Sequence, residues 1–267
     1  MEVPMSRLSE ISFEPLEPYD GKLSCTVLRG ERGSNAPDLP DITDKPFPAE
    51  PLATNEKIEI MKQEIINRIK QLGGNVTNVK GTSLSEDLCA ITFNTALYKK
   101  PEDTPWLSAE DTEPIEGLGD WVDENTELFN SDREAFYKKM VDAYYTLNED
   151  PRRQLFWVAK PFTPFQEGTK DFEEWNDWFS DDAELGEIIQ HSTCATPAFI
   201  GLLYTDSYPN YYYICLSDLN PENPIVWSTD HEVFFTDVTN EGALEDFLNK
   251  FMTKEEFIDI VKRKLEQ

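Results

Sequence analysis

Apolar positions along this chain change period several times, and each change marks an element. From Glu56 to Gly74 (EKIEIMKQEIINRIKQLGG), Ile58, Met61, Ile65, Ile69 and Leu72 recur every three or four residues. That spacing predicts an amphipathic helix stopped by Gly73-Gly74. Two strands are expected next, Asn75 to Val79 and Leu88 to Asn94 (LCAITFN), divided by the turn-rich Gly81-Thr82-Ser83. Ser131-Asp132-Arg133-Glu134 reads as a capping box opening the helix REAFYKKMVDAYYTLN, which sets Phe136, Met140, Tyr144 and Leu147 on one side. Asp150-Pro151 ends that helix, and Gln154 to Lys160 (QLFWVAK) reads as a strand.

The segment DFEEWNDWFSDDAELGEIIQ carries Phe172, Trp175, Phe179, Leu185 and Ile188 at helical spacing, with acids on the other side. Four short strands follow, Pro197 to Tyr204, Asn210 to Leu216, Ile225 to Ser228 and Glu232 to Val238. Their connections, Asp206 to Asn210 and Asp218 to Pro224, have turn composition and suit antiparallel hairpins. A helix from Gly242 to Phe251 and a last one boxed by Thr253-x-x-Glu256, with Phe257, Ile260, Val261 and Leu265 inward, complete the chain. The fold class expected is α+β, a mainly antiparallel sheet packed with several helices.

Residues 1 to 55 differ from all of this. They hold eight prolines, which remove backbone donors and favour extended conformations, and only Leu23 to Leu28 looks like a strand. The expected organisation is a Pro-rich arm or linker over 1–55, a small α+β unit over 56–105, and an α+β domain over 106–267.

Charge sharpens the picture. The 267 residues include 52 acids and 24 Lys or Arg, a net charge of −28. A field of that sign repels nucleic-acid backbones and anionic membranes and attracts basic proteins. The acids are concentrated: residues 102–134 hold twelve against one base and 167–187 nine against one, together −19 of the −28. Both segments interleave tryptophans, as core anchors or as an exposed binding face. The partner-binding residues expected on this ground are Trp121, Glu124, Glu174, Trp175, Asp177, Trp178 and Asp182.

Catalytic and metal chemistry find little support. In Asp230-His231-Glu232, strand alternation would set His231 on the face opposite both carboxylates, so no dyad is expected within the tripeptide. His191-x-x-Cys194 offers two ligands where structural zinc takes four. Asp218, Asn220, Glu222 and Asn223 lack the glycine and terminal glutamate of an EF-hand loop, so a turn is expected. No nucleotide-cradling glycine motif occurs. The expectation is a non-enzymatic protein without cofactor or metal. Cys25, Cys89, Cys194 and Cys215 show no paired short spacing, which suggests buried thiols in a reducing compartment. With no signal pattern and no apolar run near ~20 residues, a cytoplasmic protein without membrane insertion is expected.

The run YYYICLSDLNPENPIVWSTDHEVFF followed by GALEDFLNKF resembles the C-terminal part of the SUKH superfamily. The residues that carry the likeness are Ile214-Cys215-Leu216, Val226 with Asp230-His231-Glu232, and Phe247-Leu248, with Phe199 to Tyr204 as the strand entering the same sheet. The family's earlier Leu-Pro, helix and Asn-Gly pattern is not present in that form. The resemblance implies an α+β interaction module of the kind found among toxin-neutralising immunity proteins and cell-wall regulators, not an enzyme. Sequence alone thus suggests an acidic binding module engaging a basic protein. The alternative is an assembly subunit anchored by its N-terminal arm.

Overall fold

A computed structural model of the protein describes residues 61–104, 115–147, 153–175, 183, 185–205 and 208–266. The Pro-rich arm and its expected strand lie outside these residues. Helices are α1 (Gln63–Gln71), α2 (Leu84–Cys89), α3 (Leu118–Glu124), α4 (Thr126–Ser131), α5 (Arg133–Tyr145), α6 (Lys170–Trp175), α7 (Gly186–Gln190), α8 (Leu244–Asn249) and α9 (Lys254–Leu265). Strands are β1 (Leu155–Phe162), β2 (Phe199–Thr205), β3 (Tyr211–Cys215), β4 (Ile225–Thr229) and β5 (Thr239–Ala243).

The five strands form one antiparallel sheet in the order β1-β2-β3-β4-β5, each paired with its neighbours in sequence. Strand alternation gives the sheet two apolar faces. On one, Leu155, Ile200, Leu202, Tyr212, Ile214 and Val226 pack against Ile65 and Ile69 of α1, Leu88 of α2 and Phe247 of α8. On the other, Phe162, Phe199, Tyr213, Cys215 and Trp227 are covered by Ile188 of α7 and by Phe235. A third cluster joins α3, α5 and α9 through Trp121, Phe136, Met140, Tyr144, Phe257 and Val261. Residues 61–104, expected as a small unit, place their apolar side chains partly in the first of these cores and partly in the third.

Helix α1 ends as its sequence requires. Gly73 takes a left-handed φ of 95°. At Gly74 an added Cβ would lie 2.5 Å from Ile69 and 2.7 Å from the Phe93 ring, so no side chain fits there. Arg68 leaves this helix to reach α8, donating to the carbonyls of Leu248 at 3.4 Å and Phe251 at 2.6 Å.

Three expectations are corrected. The strands expected at Asn75 to Val79 and at Leu88 to Asn94 are instead a single bridge, Asn75 with Thr92, the second segment opening with the end of α2. The turn-rich Gly81-Thr82-Ser83 leads into a helix: Ser83 caps α2 by accepting from Glu86 N, and Asp87 Oδ1 accepts from Lys80 N and Gly81 N. The capping box at Ser131 is shifted by one residue. Ser131 ends α4, its hydroxyl donating to Glu127 O, and Asp132 caps α5 by accepting from Ala135 N.

The strand expected at Glu232 to Val238 is a tight turn, and the fifth strand comes one segment later, at Thr239–Ala243. Asp230 Oδ1 accepts from Glu232 N at 2.9 Å, and the Thr229 hydroxyl accepts from Phe235 N while donating to Asp237 O. These side-chain bonds divert the backbone from the ladder, as Asx and threonine turns do. Phe235 is thereby held at φ 56° and buried. The box at Thr253 and Glu256 is present in both directions.

Candidate functional site: an acidic helical face

The charged segment 115–134 is ordered by its rings. Trp121 lies edge-on to Phe136 with centroids 5.1 Å apart, and Phe129 meets the same ring at 5.0 Å. Asn125 joins α3 and α4 to α5: its amide donates to Trp121 O at 2.7 Å, and its carbonyl accepts from Lys139 Nζ at 2.7 Å. With the apolar side committed inward, the carboxylates are left outside. Asp120, Asp123, Glu124, Glu127, Asp132 and Glu134 are all exposed. Asp132 caps α5, and none of the six forms an ion pair among the described residues. The guanidinium of Arg133 lies over the Phe129 ring, 4.7 Å from its centroid.

Of the residues expected to face a partner, Glu124 and Glu174 are exposed. Trp121 is corrected: it is only 6% exposed and belongs to the helical core, because an indole of that size gains more from burial than a marginal helix loses by anchoring to it. Trp175 is half-buried, 6.2 Å from Phe162 and 5.3 Å from Phe234. Asp177, Trp178 and Asp182 lie outside the described residues. The two acidic segments do not share a core: α3 and α4 pack with α5, whereas Trp175 of α6 packs on the second face of the sheet.

The Asp230-His231-Glu232 segment behaves differently from the expectation for a strand. In the turn, His231 Nδ1 comes within 3.3 Å of Asp230 Oδ1 and contacts Asn210 Oδ1. Asn210 Nδ2 is committed to Thr205 O at 2.9 Å, so its oxygen faces His231 and accepts. Nδ1 is thus the ring nitrogen placed to donate to it. The tripeptide is a hydrogen-bonded corner joining the β2–β3 and β4–β5 connections.

The oxygen-rich turn after β3 is used up by backbone amides. Asp218 accepts from Asn220 N at 2.7 Å and Ile225 N at 3.0 Å, and Asn223 Oδ1 accepts from Glu245 N at 2.9 Å. His191 lies against Trp227, centroids 5.9 Å apart, and Cys194 Sγ donates to Thr196 O at 3.4 Å. Among the described residues no cluster of three or more His, Cys, Asp or Glu side chains could hold a metal ion. Cys215 is buried as expected, but Cys89 is exposed and Cys194 half-buried. No helix of the described residues is long and apolar enough to cross a membrane.

One polar cluster escaped the sequence reading altogether. Lys99, its side chain 4% exposed, lies 3.7 Å from Glu241 Oε2, which also meets Lys250 Nζ at 3.4 Å. Glu241 Oε1 accepts from Ser228 Oγ at 2.8 Å. Burial pulls the Lys99 ammonium below the usual lysine value, against the opposing pull of Glu241. Nothing in the local pattern around Lys99 marks it as buried, since it meets Tyr212 of β3, Glu241 of β5 and Phe247 of α8.

Comparisons with family models, with characterised proteins and with solved structures yield no match to this chain.

Proposed function

We propose that this protein is a non-enzymatic binding module that engages a basic protein through the acidic face of α3, α4 and the start of α5. The supporting observation is the set of six exposed carboxylates on that face with no ion pair among the described residues. Surface acids that serve only the fold tend to pair with neighbouring bases at helical spacing. Here they are outnumbering and unanswered, while the rings beneath hold the backbone that carries them. Such a face steers a basic partner into encounter and sets its orientation. Joined to the SUKH-like motifs of the C-terminal third, the most concrete form of this reading is an immunity-type protein that neutralises a basic toxin.

The test uses the tagged full-length protein as bait in an extract of its source cell. A variant carrying Asp120→Asn, Asp123→Asn, Glu124→Gln and Glu127→Gln is run beside it. A basic protein retained by the native chain, lost by the variant and released as salt rises from about 0.1 to 0.5 M is the expected result. Capture unaffected by both the variant and the salt overturns the reading.

A further inference from the structure

Between Ile115 and Glu134 the chain carries one base, Arg133. It is the first residue of α5, where the positive end of the helix dipole disfavours a cation. The helix it opens therefore does not account for its charge. Asp132 and Glu134 flank it in sequence, and all three are exposed. A base among carboxylates on a surface is drawn to pair with one of them. Arg133 forms no such pair among the described residues.

Its guanidinium lies instead over Phe129, 4.7 Å from the ring centroid, a cation–π contact that needs no carboxylate. Phe129 is placed for this from below: it is half-buried and meets Phe136 of the helical core at 5.0 Å. The two residues belong to different helices, Phe129 to α4 and Arg133 to α5, and the extended Asp132 between those helices sets their approach. Lys139, a turn and a half further along α5, is likewise kept from the acids, its ammonium donating to Asn125 Oδ1 at 2.7 Å. The six carboxylates of the face are unpaired because the bases beside them are held by a ring and by an amide.

We infer that Phe129 regulates the acidic face by holding Arg133 off its carboxylates. The acids stay available to a basic partner, while the fixed charge of Arg133 limits how strongly the face attracts one. This rests on the basic-partner reading and adds to it the pair of residues that sets its strength. It differs from a purely structural role, in which Arg133 is only a cover for the ring and its charge is without consequence.

The experiment titrates the full-length protein with a fluorescent peptide of alternating Lys and Ala at about 0.05 M salt. Phe129→Leu keeps apolar volume against Phe136 but removes the ring face, so that Arg133 pairs with a neighbouring carboxylate, and should weaken the peptide about threefold. Arg133→Met keeps an unbranched side chain over the ring without its charge, and should tighten the peptide about threefold. In the double variant the Phe129 change should have no further effect, because the residue it acts through is gone. Affinity that is unchanged or lowered in Arg133→Met overturns the inference, and so does a Phe129→Leu effect of equal size with and without Arg133. The α3–α4 variant of the capture test separates this from the reading beneath it. Peptide binding that the α3–α4 variant leaves intact, or no binding by the native protein, overturns the basic-partner reading and the inference with it. Binding lost in that variant but indifferent to Phe129 and Arg133 overturns the inference alone. Thermal melting verifies the fold of Phe129→Leu, and Arg133→Met, at an exposed position, decides the matter by itself if that variant unfolds.

Discussion

The ammonium of Lys99 lies 3.1 Å from the hydroxyl of Tyr212 and 4.9 Å from the centroid of the same ring. A lysine and a tyrosine 113 residues apart thus meet inside the sheet's first core. Glu241 answers the charge from the edge strand β5, and Lys250 shares that carboxylate from just beyond α8. Burial drives the two side chains in opposite directions, the Lys99 pKa down and the Tyr212 pKa up, each toward its neutral form. The cluster holds β5, which among the described residues has one neighbouring strand, and Lys250 Nζ also donates to Glu241 O at 3.0 Å.

Removing Glu241 should therefore be costly. Glu241→Gln leaves Lys99 buried without its nearest carboxylate, and a loss of about 3–5 kcal/mol at neutral pH is expected in urea denaturation. The pH dependence gives the mechanism away. Because the native Lys99 pKa is lowered, the folded chain binds fewer protons than the unfolded one as pH rises through the native value, and stability from this group increases there. The penalty in Glu241→Gln should shrink as pH rises toward the usual lysine value. A penalty that is constant with pH would show that Lys99 is not its source.

Glu256 has the opposite sign. Burial alone would push its carboxyl up, but the Thr253 backbone N–H, Lys100 and Arg68 outweigh burial and hold it below the usual range. Its contribution is thus present above the unfolded carboxyl value and lost as pH falls through the native one. Thermal melts should show native and Glu256→Gln proteins separated at pH 7 and converging as pH falls below the usual carboxylate range. Separation that persists at the acid end would contradict the linkage.

Trp121 and Glu124 lie on one short helix and should respond in unlike ways. Trp121→Ala opens a cavity beside Phe136 and is expected to cost about 3–5 kcal/mol. Glu124→Gln, on the exposed side, should stay within about 0.5 kcal/mol in stability while weakening capture of a basic partner. Equal stability losses would mean that the two sides of α3 are not divided as described.

Asp87 separates geometry from charge. Its Oδ1 accepts two backbone N–H groups, whereas the buried Oδ2 has no hydrogen-bond partner among the described residues. Asp87→Asn preserves the accepting oxygen and should change stability by less than about 1 kcal/mol, while Asp87→Ala strands both amides and should cost about 2–3 kcal/mol. Chemical denaturation of the two variants measures the difference directly.

Long periodic segments were legible from sequence because their burial follows local spacing. Ile65 and Ile69 of α1, Phe136, Met140 and Tyr144 of α5, and the alternating strands β2, β3 and β4 lie where their periods place them. The errors fell where side chains compete with the backbone. Ser83, Asp132, Asp230 and Thr229 each bind nearby amides, so that one expected strand begins inside the helix that Ser83 caps and another is a turn. Strand alternation separated His231 from Asp230 on paper, and the turn put them in contact.

The sequence by itself determined the α+β class, the antiparallel order of its C-terminal strands and the concentration of negative charge, because each is set by composition or by neighbours within a few residues. Only the tertiary structure decided that Trp121 points inward and that Lys99 meets Glu241 and Tyr212. Those relationships join residues far apart in the chain. They depend on strand register and on which face each helix covers, and no local pattern encodes either.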